Sequence, residues 1–188
     1  MITRANSEPI FAPARRQLIS GGALAIGGMI FRPNLALAQS DPGISHTEES
    51  IHQEPSFNAG RQRVYQALTT TEQFDHVIQL SGVMQSAPMA KMKKPTAISG
   101  HAGGEFSLFG GLIVGRHIEL VPEELIVQAW RDGAWDRGVY SIVKFNLTEQ
   151  GAGTKILFDH TGFPKGQAEH LAAGWQANYW SPLAKFLA

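Results

Sequence analysis

Val139, Val143, Phe145 and Leu147 occupy alternate positions with Ser141 between them, a period of two that predicts a strand with one buried face. Glu149-Gln150-Gly151-Ala152-Gly153 turns the chain, and Thr154–His160 returns it as a second strand. Upstream, Gly104–Phe109 and Leu112–Leu120 flank Gly110-Gly111, which predicts a two-residue hairpin turn. Pro122-Glu123-Glu124 makes another turn into a strand over Leu125–Arg131, and a loop carrying Trp135 follows. Such short connections predict antiparallel pairing between sequence neighbours.

The period changes near the C-terminus. Ala168, Leu171, Ala172, Trp175, Tyr179, Pro182, Leu183 and Phe186 recur at spacings of three and four, the stripe of an amphipathic helix running from about Lys165 to the end. Pro182 has no N–H and its ring crowds the carbonyl of Asn178, so a kink is expected there. Trp180 falls about 100° off the stripe and is expected at the helix edge. At the other end, Glu49–Phe57 predicts an edge strand. Arg61–Leu68 predicts a helix, and Thr70 or Thr71 can cap a second short helix reaching Ile78. The fold class is therefore α+β, a sheet apolar on one face and covered by the C-terminal helix, with two short helices after the first strand. Ser81–Gly100 shows neither period. It holds Met84, Met89, Met92 and three lysines, the composition of either a surface loop or a methionine-rich lid.

Residues 1–38 are of a different kind. Arg15-Arg16 stands directly before a fourteen-residue apolar run, Leu18–Phe31, and Ala36-Leu37-Ala38 follows as a small-x-small cleavage site. The run is short of the roughly twenty residues that span a bilayer, so no stable membrane anchor is expected after cleavage. The order predicts a twin-arginine-type signal peptide over 1–38, a flexible linker over 39–47, one domain over 48–188, and a periplasmic location.

Charge narrows the partners. Of sixteen basic and sixteen acidic residues, four arginines and one acid lie in 1–38, leaving twelve against fifteen beyond, a formal charge of −3. That balance gives no reason to expect nucleic acid. There is no cysteine, which excludes disulfides and thiol chemistry. None of the seven histidines forms a His-x-His or His-x-x-x-His pair, and no Gly-x-Ser-x-Gly elbow is present, so no catalytic residue, metal or cofactor is expected. His160 and Asp159, adjacent in a strand, point to opposite faces, and His160 is expected to support the turn into Thr161-Gly162.

Leu120-Val121-Pro122-Glu123, Ile126–Arg131, Trp135, Gly138, Gly153-Thr154, His160-Thr161-Gly162-Phe163-Pro164, Gly174-Trp175, Tyr179 and Trp180 form an ordered set. From about Phe57 to Leu187 the chain resembles the activator of heat-shock-protein-90 ATPase homologue family. The resemblance implies a START-like helix-grip fold, in which a curved antiparallel sheet wraps around a long C-terminal helix. By name it implies stimulation of a cytosolic chaperone ATPase, an activity that the export pattern points away from. The wider superfamily implies an apolar small molecule held between sheet and helix.

Phe106, Phe109, Trp130, Phe145, Phe158, Trp175 and Tyr179 are the expected lining of such a cavity, or else core. The expected function is binding of an apolar or amphipathic small molecule, by a monomer or homodimer. The alternatives are a protein-interaction module and a cyclase- or aromatase-like enzyme. The last would need Glu105, Arg116, His117 or Arg131 turned inward as a shifted acid or base.

Overall fold

The computed structural model describes residues 49–84, 86 and 94–188. The signal-peptide residues Arg15, Arg16, Ala36 and Ala38, the linker, and residues 85 and 87–93 of the methionine-rich segment lie outside them. Eight strands, β1 (Ser50–Gln53), β2 (Ser56–Phe57), β3 (Ala97–Ile98), β4 (Glu105–Leu108), β5 (Ile113–Val121), β6 (Leu125–Asp132), β7 (Ser141–Gln150) and β8 (Gly153–Thr161), form one antiparallel sheet. Their order is β1-β8-β7-β6-β5-β4-β3, with β2 also paired to β8. After β2 come two helices, α1 (Arg61–Thr69) and α2 (Thr71–Gln79).

The period-two patterns become the inner face of the sheet. Ser141, Val143, Phe145 and Leu147 of β7 and Thr154, Ile156, Phe158 and His160 of β8 are all buried. Asp159 points the other way and meets His52 at 2.7 Å on the outer face. Two strand boundaries differ from expectation. The first strand is broken at Glu54-Pro55, because Pro55 has no N–H to donate to a ladder; its carbonyl accepts from Ile156 instead. The β4–β5 connection is longer than a two-residue turn. β4 stops at Leu108, and Phe109–Gly111 form a 3-10 turn in which Phe109, Gly110 and Gly111 all have positive φ, at 50°, 68° and 93°. Burial of the Phe109 ring, 2% exposed, holds that residue in a conformation uncommon outside glycine.

The C-terminal helix has three parts: α3 (Ala168–Trp175), a π turn (Gln176–Trp180), and α4 (Ser181–Leu187) with Pro182 in its first turn. The irregularity expected from Pro182 thus takes the form of a π turn, closed by the Ser181 N–H donating to the carbonyl of Gln176. This corrects the placement of Trp180. Bonds from i to i+5 bring residues five apart into line. Trp175 and Trp180 therefore stack at 5.8 Å with ring planes 22° apart, and Trp180 is buried rather than at the helix edge. Its indole donates to Gln53 Oε1 at 2.6 Å, and Gln53 Nε2 donates to the Ala172 carbonyl, so β1 holds both α3 and the end of the π turn. No described helix is long and apolar enough to cross a membrane.

Candidate functional site

Trp175 is the centre of the interior. Its ring lies 4.2 Å from Tyr179, 4.5 Å from Phe158, 5.6 Å from Trp130 and 5.9 Å from Phe145. The indole N–H can only donate, and it points at His160 Nδ1, 3.0 Å away. That makes Nδ1 the acceptor and puts the ring proton on Nε2, which donates to Ser141 Oγ at 2.7 Å. The Ser141 hydroxyl then donates to the Trp130 carbonyl at 3.0 Å. One polar chain thus ties the helix to β8, β7 and β6 with every proton assigned. His160 does this rather than supporting the turn into Thr161-Gly162. Burial pushes the imidazole down to about 3, so it is neutral throughout the physiological range.

Beside this packed centre lies a cavity of about 220 Å³. Its floor is sheet, with Ile113 of β5 and Trp130 and Asp132 of β6. One wall is the helix, through His170, Leu171, Gly174, Trp175, Asn178 and Tyr179. The Phe109–Leu112 turn and Val83, just after α2, supply the rest of the lining, and the cavity is partly open. The left-handed backbone at Phe109 is what turns its ring toward Tyr179, 5.4 Å away, and so shapes this wall.

Two buried polar atoms on the cavity residues lack a hydrogen-bond partner: the indole Nε1 of Trp130 and the hydroxyl of Tyr179. Burial pushes the Tyr179 phenol far above its ordinary value, the nearby Trp130 indole tempers that push, and the Asp132 carboxylate adds to it. The indole and phenol are neighbours close enough to act on each other, short of a well-formed hydrogen bond. An unpaired buried donor costs about 1–3 kcal/mol, and both atoms are sealed within the packing rather than open to the cavity.

Of the seven expected lining residues, Phe109, Trp130, Trp175 and Tyr179 meet at this cavity. Phe145 and Phe158 sit deeper, against each other at 5.2 Å and against Trp180. Phe106 lies elsewhere on the sheet, over the bare Cα of Gly115 and 5.5 Å from His117. The sequence reasoning missed Asp132, His170, Leu171, Gly174, Asn178, Leu112, Ile113 and Val83. Leu171, Gly174 and Asn178 were findable, because they neighbour Trp175 and Tyr179 at helical spacings of one to four. Val83 and Leu112 come from irregular segments with no period to read.

The four groups considered for acid–base work are not at the cavity. Glu105 and Arg116 pair across β4 and β5 on the exposed face. Arg131 bonds the carbonyls of Trp135 and Asp136. His117 does turn inward, and burial together with the nearby His101 pushes it down to about 4. It contacts Gln128 at 3.5 Å, its Nε2 is unpartnered, and it does not line the cavity. Among the described residues no cluster of histidine and carboxylate has the makings of a metal site.

Residues 58–188 match the family described as Activator of Hsp90 ATPase homolog 1-like protein. The chain belongs to this family. It is 28% identical over 124 residues to a mouse protein named activator of 90 kDa heat shock protein ATPase homolog 2, a match that takes in 64% of this chain and 38% of that one. The human homolog 1 is 26% identical over 113 residues, 60% of this chain and 32% of its own length. The chain thus spans about a third of these curated relatives. Among solved structures, an HSP90 activator from Plasmodium falciparum superposes with a TM-score of 0.61 at 22% identity, covering 73% of this chain and 95% of that one. The Aha1 dimer from Colwellia psychrerythraea gives 0.57 at 15% identity over 74% and 96%. At such identities these two likenesses establish the START-like fold alone.

Proposed function

We propose that this family member is an exported binding module that holds an apolar or amphipathic small molecule in the cavity between β5, β6 and the C-terminal helix. The observation that carries this reading is the cavity itself. It lies beside a densely packed aromatic interior and its lining is mostly apolar. Export follows from Arg15-Arg16, the short apolar run and Ala36-Leu37-Ala38. Protein purified from its native host is expected to carry a small molecule visible by native mass spectrometry and released on denaturation. A chain that arrives empty, and whose tryptophan fluorescence ignores every small apolar probe, ends the reading.

Family membership favours a second reading, action on a chaperone ATPase through a protein interface. Tyr140, immediately before β7, and Ile142 within it are about half exposed at 49% and 43%. A purified chaperone ATPase whose hydrolysis rate rises on adding residues 48–188, and falls back with Ile142→Asp, would support it.

A further inference from the structure

We infer that Gly174 is the doorway residue of the cavity: its bare backbone leaves a notch in the helix wall, and a side chain there would narrow what the cavity admits. The inference rests on the binding reading above and adds to it the position that sets ligand size.

A glycine inside a helix is less favourable than an alanine, because its backbone gives up more freedom on folding and it brings no side chain to bury. Gly174 stands inside a helical run that continues from α3 through the π turn into α4. Two causes ordinarily keep a buried position bare. Either the backbone needs a positive φ, or another part of the chain passes too close for a Cβ. Neither applies to Gly174. Its φ is not positive, and among the described residues nothing beyond the neighbouring turns of its own helix backbone lies within 4 Å of where its Cβ would be. Gly115, by contrast, is bare because the Phe106 ring and the Ala129 carbonyl leave a Cβ no room.

Its place on the helix supplies the missing reason. Leu171, Trp175 and Tyr179 line the cavity, are buried, and form the inner part of the helix wall. His170, Gly174 and Asn178 line it as well, each one residue earlier. His170 is exposed and the other two are half-buried, so this row is the outer edge of the wall. Residues four apart on a helix stand one above another, which puts Gly174 between two larger side chains. A methyl group in that notch displaces no described protein atom. It takes space only from a molecule that enters the cavity or lies in it, and the helix forgoes the stability of alanine to keep that space empty.

Two uncharged probes of different width, p-cresol and 2-naphthol, test this on the purified chain. The variants are Gly174→Ala, Gly174→Leu and, as a control of equal bulk at the exposed position beside it, Ala173→Leu. Affinities are read by calorimetry and by the NMR shift of the Trp175 indole N–H, and melting by circular dichroism. Gly174→Ala is expected to melt about 3 °C higher than the unaltered chain. It is expected at the same time to bind 2-naphthol about tenfold more weakly, the worth of one methyl group too many in an apolar pocket. Gly174→Leu should weaken both probes by about tenfold or more, and Ala173→Leu should weaken neither. Weaker binding by a more stable protein is a result that damage to the fold does not produce. Unchanged binding in both Gly174 variants, or an equal loss in Ala173→Leu, overturns the inference and leaves the binding reading standing. A Gly174→Ala variant that melts lower also overturns it, since the glycine would then be serving the backbone. Failure of both probes to bind the unaltered chain overturns both.

Discussion

His160 spends both ring nitrogens inside the core, accepting from Trp175 and donating to Ser141, and it pays for this arrangement in acid. Folded, it titrates at about 3 and His117 at about 4, against about 6.5 for each when unfolded. The unfolded chain therefore takes up these protons first as pH falls. The stability held by the neutral rings is complete above about pH 6.5 and drains away toward pH 3–4, at up to about 1.4 kcal/mol per pH unit for each histidine. Urea midpoints should hold down to about pH 6.5 and then fall toward pH 4.5, and His160→Gln should flatten that slope while lowering the midpoint at pH 7. Ser141→Ala tests the same chain from its far end. It strands the His160 Nε2–H in the interior, and a loss of about 1–3 kcal/mol in urea unfolding is expected at neutral pH.

At the scale of elements, two departures from regular geometry set the interior. The π turn carries Trp180 into the core, where it meets Trp175, Phe158 and Phe145. Trp180→Ala should then cost about 3–5 kcal/mol, as for a large core residue, where an exposed tryptophan would cost almost nothing. Circular-dichroism melts of the variant decide between the two. On the sheet, β5 is bare at Gly115 because the Phe106 ring crosses it. A Cβ there would sit 2.1 Å from the Ala129 carbonyl oxygen and 2.3 Å from the Phe106 ring. Since one of those neighbours is backbone, the clash has no cheap relief. Gly115→Ala should destabilise by about 1–3 kcal/mol in the same measurement, despite its size.

The twin-arginine reading predicts that Arg15→Lys combined with Arg16→Lys leaves the protein in the cytoplasm of a bacterial host, while the unaltered chain reaches the periplasm with an N-terminus near Gln39. Cell fractionation followed by N-terminal mass spectrometry reads both outcomes. Intact Met1 or Ile2 in the exported fraction would refute the cleavage.

The strands, the two short helices and the apolar stripe of the C-terminal helix were readable because their cause is local. Alternation over Ser141–Leu147 and the three–four spacing from Ala168 to Phe186 are set by backbone periodicity, which neighbours in sequence express directly. Trp175 and Tyr179 were accordingly placed on the buried face from spacing alone. Their division of labour was not readable. Phe145 and Phe158 look no different in sequence from Trp130 and Phe109, yet the first pair packs in the centre and the second lines a cavity, because that depends on how far the sheet and helix stand apart at each level. Tertiary packing also chose the π turn over a plain kink, since the large indole of Trp180 found Gln53 and Phe158 on the sheet side. Asp132 joined the site for the same reason. Nothing adjacent to it in the chain marks it, and only the antiparallel register of β5 and β6, with Ile113 opposite Asp132, brings it beside Tyr179. Local pattern determined which faces are buried, and the closure of sheet onto helix determined where the interior stays open.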